Sequence, residues 1–179
     1  MLKTERLTLR QIEIEDAPLV HEHMHDPAVT ADLLPLRQPY TLDYVRTWID
    51  DIRSLRLGEG IMFTILRGDE FIGTMYLHSE PQHRHAEIGY WFGKAYWGQG
   101  YATEAGRAVI RYGFERMFLR RIFAYYFARN VGSRRVLEKL GLKYEGTQRQ
   151  DVLKDGVYHD ISFCGLLLSE WELNNHDTP

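Results

Sequence analysis

The segment Tyr96-Trp97-Gly98-Gln99-Gly100-Tyr101-Ala102-Thr103 holds the residue types and spacing most suited to binding chemistry. Glycines let a backbone approach a ligand closely. A helix start adds unpaired N–H groups and the positive end of the peptide dipole. A strand candidate precedes the segment and a helix candidate follows it, so the loop can cradle a diphosphate. Two familiar phosphate loops are excluded. A P-loop needs Gly-Lys-Ser/Thr, which Gly100-Tyr101-Ala102 does not supply. A dinucleotide fingerprint needs a third Gly or Ala where Thr103 stands, together with a βαβ repetition that this chain lacks. Taken alone, the same glycines would equally suit a strand-to-helix turn without a ligand.

Other reactive side chains read more plainly. Asn130 and Ser133 are residue types that cap a helix start. His21-Glu22-His23-Met24-His25 puts His21 and His25 on one helix face, but no cysteine or third ligand accompanies them. The His-Glu-x-x-His spacing also fails, so no metal is expected. Cys164 lies between Phe163 and Leu166 in a strand candidate, which reads as a buried, inert thiol.

The elements that must position the loop follow from periodicity and punctuation. Residues 6–12 alternate as a half-buried strand. Asp16-Ala17-Pro18 starts a helix reaching about Met24, with Asp16 as its cap. Thr41 opens a second helix whose apolar face is Val45, Trp48, Ile49 and Ile52. Strands are expected over 61–66, 71–77 and 86–92, then a helix over 101–118. A strand over 121–128, a helix over 133–140 and strands over 144–153 and 157–168 complete the chain. The fold class is α+β with α/β character. It has a mixed, mostly antiparallel sheet of about six to seven strands and about four flanking helices. Residues 1–173 read as one domain and 174–179 as a frayed tail.

Composition limits the classes. The 179 residues carry 22 Lys plus Arg and 25 Asp plus Glu, a net charge of −3, which argues against non-specific nucleic-acid binding. With Cys164 as the one cysteine, no intramolecular disulfide forms, and a reducing compartment is expected. The N-terminus has no signal-like apolar region, and no run approaches the ~20 apolar residues of a membrane helix. The expectation is a cytoplasmic protein with no membrane partner. Oligomeric state is left open, a homodimer included.

From Thr4-Glu5-Arg6-Leu7 to Leu168 the chain resembles the GNAT N-acetyltransferase superfamily, closest to its RimJ/RimL-like branch of ribosomal-protein N-terminal acetyltransferases. The resemblance is carried by Glu87-Ile88-Gly89-Tyr90-Trp91-Phe92, Tyr96 to Ala105, Asn130-Val131-Gly132-Ser133, Val136 to Leu142 and Gly156-Val157-Tyr158-His159-Asp160. It implies a GNAT-like fold and acetyl-CoA as cosubstrate. Gly98, Gln99, Gly100, Tyr101, Ala102 and Thr103 would form the pyrophosphate cradle, although Trp97 stands where the family pattern has Gln or Arg. Tyr90, Trp91 and Phe92 would give main-chain contacts to the pantetheine arm, and Asn130 would hold that arm. A main-chain N–H near Phe92 would be the oxyanion donor. Glu87 would be the general base, directly or through water, unless it merely pairs with Arg84 or a histidine. The other family position for a base is occupied by Tyr125, and the usual tyrosine acid position by Leu137. Ser133 would therefore protonate or hydrogen-bond the leaving thiolate.

The resemblance places the acceptor side on the first two helices and the last hairpin. Those segments carry His21, His23, Asp26, Asp32, Arg37, Tyr40, Asp151, Tyr158 and Asp160. A primary amine is implied, on a peptide N-terminus or a small molecule. The alternative is a catalytically silent acyl-CoA-binding or regulatory module of the same fold. Retention of both Glu87 and Ser133 favours the enzyme.

Overall fold

The computed structural model describes residues 1–34, 39–56 and 58–176. The first expected strand, 6–12, is present as β2 (Thr8–Gln11), and an additional short strand, β1 (Leu2–Lys3), precedes it. Thr4 N–H bonds Leu7 O at 3.0 Å, and this turn separates the two. Helix α1 (Ala17–His23) starts where expected, but Asp16 does not cap it with its side chain. A short helix, α2 (Pro27–Thr30), follows, with Asp26 accepting from Ala28 N–H at 2.8 Å. Helix α3 (Leu42–Arg53) is capped by Thr41 and buries Val45 and Ile49.

A meander comes next: β3 (Gly60–Arg67), β4 (Glu70–Glu80) and β5 (His85–Phe92). Helix α4 (Tyr101–Arg116), β6 (Arg121–Phe127), α5 (Val131–Lys139), β7 (Lys143–Lys154) and β8 (Val157–Leu167) complete the expected order. Helix α6 (Leu168–His176) was not expected, and Asn174 belongs to it rather than to a frayed tail. Residues 177–179 and Arg37 lie outside the described residues.

The strands form one sheet of eight, in the order β1-β2-β3-β4-β5-β6-β8-β7. That is one strand more than the alternation suggests, because a two-residue strand is too short to show a period. Two apolar clusters cover its faces. On one, Ala86, Ile88, Phe92, Ile122 and Ala124 pack against Ala105, Val109 and Ile110 of α4 and Leu137 of α5. On the other, α1 and α3 bury Val20, Val45 and Ile49 near Phe71, Tyr76 and Trp91.

All neighbouring strands run antiparallel except β5 and β6. Their parallel pairing covers His85–Glu87 against Arg121–Phe123 and goes no further. Beyond Glu87 the two strands part, and the sheet opens as a wedge with Glu87 at its apex.

Candidate active site

The wedge leaves β5 with a working edge. Gly93 N–H bonds Ile72 O at 3.0 Å, on the β4 side. Backbone groups alternate in direction along a strand, so those of Phe92 and Tyr90 face away from β4, into the wedge. The Phe92 carbonyl accepts from Trp97 Nε1 at 2.7 Å, as this orientation requires. The N–H of Phe92 is thereby aimed into the opening. Trp91 pairs with Thr74, so its backbone groups belong to the β4 ladder. The exposed amide edge comes from Tyr90 and Phe92, not Trp91.

The glycine loop leads from this edge into α4. Gly98 and Gly100 have φ of 72° and 84°, a region that glycine enters without steric cost. The first hydrogen bond of α4 runs from Glu104 N–H to Gly100 O, at 3.0 Å. The N–H groups of Tyr101, Ala102 and Thr103 therefore precede the helical ladder and carry the positive end of its dipole. A Cβ on Gly98 would meet nothing within 4 Å, so the approach to the loop is open. The side chains of Tyr101 and Thr103 are buried, and Gln99 turns its amide back onto Ala95 O at 2.7 Å. What the loop offers a ligand is thus main chain, which suits the diphosphate of coenzyme A.

Glu87 and Ser133 stand on opposite faces of the sheet, either side of the wedge. Glu87 shares its face with Gly89 and Trp91, the side covered by α1 and α3. Its carboxylate accepts from Tyr76 Oη at 2.5 Å, and its charge reaches the Tyr125 phenol. Arg84 is not its partner, since that guanidinium bonds Phe118 O at 2.9 Å. Tyr76 reaches it by lying across Gly89, its cross-strand neighbour, where a Cβ would come within 2.2 Å of the ring. Burial pushes both phenols up, and the Glu87 charge adds to it; Tyr125 reaches about 12. Both phenols thus stay neutral near pH 7, and the Tyr76 hydroxyl holds the Glu87 side chain in place.

Ser133 lies on the face of α4 and α5. Its Oγ is 3.1 Å from Tyr90 Oη, and burial pushes the Tyr90 phenol up to about 12. Its N–H donates to Asn130 Oδ1 at 2.9 Å, so Asn130 caps α5. Capping occupies the Ser133 backbone and leaves its hydroxyl toward Tyr90.

Other candidates fall away from the wedge. His25 Nδ1 contacts His21 O at 2.7 Å, and the two rings lie 4.3 Å apart beside Tyr40. Among the described residues, no three His, Cys, Asp or Glu side chains are grouped to hold a metal ion. Cys164 is 3% exposed, contacts Ala124 O at 3.6 Å, and burial pushes its thiol up to about 12. Two partners of the site were not read from the sequence. Tyr76 depends on strand register, and Arg6, which bonds Gln99 O at 3.0 Å, is 93 residues away in the chain.

Comparison with known proteins agrees with this geometry. The acetyltransferase (GNAT) domain matches residues 6–143. The uncharacterized N-acetyltransferase p20 of Bacillus licheniformis is 36% identical over 175 residues, 95% of this chain and 97% of its own. RimL, a ribosomal L7/L12 α-N-protein acetyltransferase solved with coenzyme A, shares the fold. Its TM-score is 0.84 at 21% identity, over 93% of this chain and 97% of that one. The spermidine N-acetyltransferase SpeG of Vibrio cholerae, solved as a mutant, also shares it, with a TM-score of 0.83 at 20% identity over 97% and 100% of the two chains. The open wedge, the main-chain cradle and these matches together make the chain a member of the GNAT family and an acetyl-CoA-dependent N-acetyltransferase.

Proposed function

We propose that this enzyme moves the acetyl group directly from acetyl-CoA to a primary amine, with Glu87 as general base and Ser133 as donor to the leaving sulfur. The observation that supports the reading is that Glu87 lies at the wedge apex on the α1 and α3 face, while Ser133 meets Tyr90 on the α4 and α5 face. The thioester enters from the cradle side, held by the edge amides of Tyr90 and Phe92 and the loop N–H groups. The amine enters from the side of α1 and α3.

In the reaction, the amine nitrogen bonds to the thioester carbonyl carbon and its proton passes to Glu87. Phe92 N–H donates to the developing oxyanion. The tetrahedral centre collapses, the C–S bond breaks, and the Ser133 hydroxyl donates a hydrogen bond to the thiolate. A serine hydroxyl is far less acidic than a thiol, so Ser133 stabilises the sulfur rather than surrendering its proton for good. Glu87 then gives its proton to solvent and the thiolate takes one from solvent, so the net change is one N–H proton lost by the amine and one S–H gained by coenzyme A.

The acceptor is a peptide α-amine or a small-molecule amine. RimL and SpeG illustrate the two kinds on one fold, at identities that speak for the fold alone. The test is acetyl-CoA-dependent thiol release across short peptides, polyamines, aminoglycosides and amino acids. Release with peptides, and acetyl mass on the α-amine, identifies a protein N-terminal acetyltransferase. Release with small amines alone removes that acceptor. A Glu87→Gln enzyme with an unaltered pH–rate profile would remove the base. A folded Ser133→Ala enzyme with full turnover would remove the thiolate donor.

A further inference from the structure

The cradle is built from peptide groups that can turn over. The Gln99–Gly100 peptide turns about ψ of Gln99 and φ of Gly100, which stands at 84°, and glycine accepts either sign of φ at little cost. Two orientations of this peptide plane are therefore close in energy. In a trans peptide the C=O and N–H point in opposite directions, so whatever holds Gln99 O decides where Gly100 N–H points.

Trp97 cannot hold it. Its single donor is spent on Phe92 O. Arg6 does hold it, donating from Nη1 to Gln99 O at 3.0 Å. The guanidinium is itself registered to the cradle helix. Glu104, in the first turn of α4, accepts from Arg6 Nε at 2.6 Å, from Arg6 N–H at 2.8 Å and from Thr4 Oγ1 at 2.5 Å. The Arg6 guanidinium also lies 4.5 Å over the buried Tyr101 ring. A planar fork that serves two acceptors at once fits this task better than a lysine ammonium.

We infer that Arg6 is a positioning residue for acetyl-CoA: it fixes the Gln99–Gly100 peptide so that Gly100 N–H is turned away from Arg6 and toward the diphosphate. The N-terminal segment thus supplies the side-chain support that Trp97 does not give. This rests on the loop being the diphosphate cradle.

Calorimetric titration tests it, with coenzyme A and with pantetheine, which lacks the phosphates. Arg6→Ala and Arg6→Lys should each weaken coenzyme A about tenfold, the worth of one charge-assisted hydrogen bond, and leave pantetheine binding unchanged. Full coenzyme A affinity in a folded Arg6→Ala protein overturns the inference. So does full affinity in Arg6→Lys, which would mean that charge alone suffices, or an equal loss for pantetheine, which would mean general disruption. If Arg6→Ala does not fold, Arg6→Lys decides. Gly100→Ala separates the premise. Should it bind coenzyme A normally, the cradle itself is misplaced; should it bind weakly while Arg6→Ala binds normally, only the role of Arg6 fails.

Discussion

At the scale of single residues, the carboxylate proposed as the base depends on a side chain that is missing. Tyr76 can lay its ring across β5 and reach Glu87 because Gly89 has no Cβ; one added there would sit 2.2 to 2.5 Å from two ring carbons and the hydroxyl oxygen. The ring is half-buried against the cluster under α1 and α3, which limits how far it can yield. Gly89→Ala should therefore lower stability by roughly 1–3 kcal/mol, the usual cost of overpacking. It should also release Tyr76 from Glu87. Thermal unfolding checks the first effect. The second is checked by comparing its pH–rate profile with that of Tyr76→Phe, which removes the same hydrogen bond while keeping the ring; the two profiles should shift alike.

At the scale of elements, Asp16 joins three of them. Its carboxylate accepts from Arg10 on β2 at 2.6 and 2.8 Å, from Thr64 on β3 at 2.7 Å and from Glu13 N–H at 2.9 Å. Burial alone would raise its pKa, but these donors outweigh it and hold the carboxyl below its usual range. A depressed folded pKa adds stability that is present above the unfolded value of ~3.9 and is lost as pH falls through the folded one. Asp16→Asn should thus lower stability at pH 7 and flatten its decline below about pH 4, as urea titrations across pH would show. Asp16 also marks what the sequence made legible. Its residue type and Pro18 located the start of α1, yet its carboxylate serves a long-range network instead of the helix end. The same division holds at the active site. The glycine loop and the Asn130 cap were legible because their types and local spacing carry the signal, whereas Glu87 and Ser133 were singled out by the family resemblance. Tyr76 and Arg6 were not, because cross-strand register and contacts between distant segments leave no local period. The helix α2 carries a local mark, Asp26 followed by Pro27, but at four residues it is too short to show a period.

At the scale of the whole molecule, the two ends of the chain brace the two mouths of the wedge. Lys154, near the turn between β7 and β8, donates to Thr30 O, Ala31 O and Leu33 O, while Arg129 donates to Ala31 O and pairs with Asp32 at 3.0 Å. The β7–β8 hairpin thereby pins the segment after α2 on the side of α1 and α3. Lys154→Ala should speed amide exchange across residues 28–34 by about tenfold, consistent with the loss of one or two hydrogen bonds, while leaving that of α4 unchanged. Mass-detected exchange reads both regions in one experiment. On the opposite side, Thr4 and Arg6 grip Glu104. Coupling of this kind is reciprocal: if the first residues steady the ligand, the ligand must steady the first residues. An aminopeptidase trimming the chain from Met1 should therefore slow before Thr4 when coenzyme A is present. Removing the first six residues would leave an enzyme that needs more cofactor to work, so the leading end of this protein is a poor place to shorten.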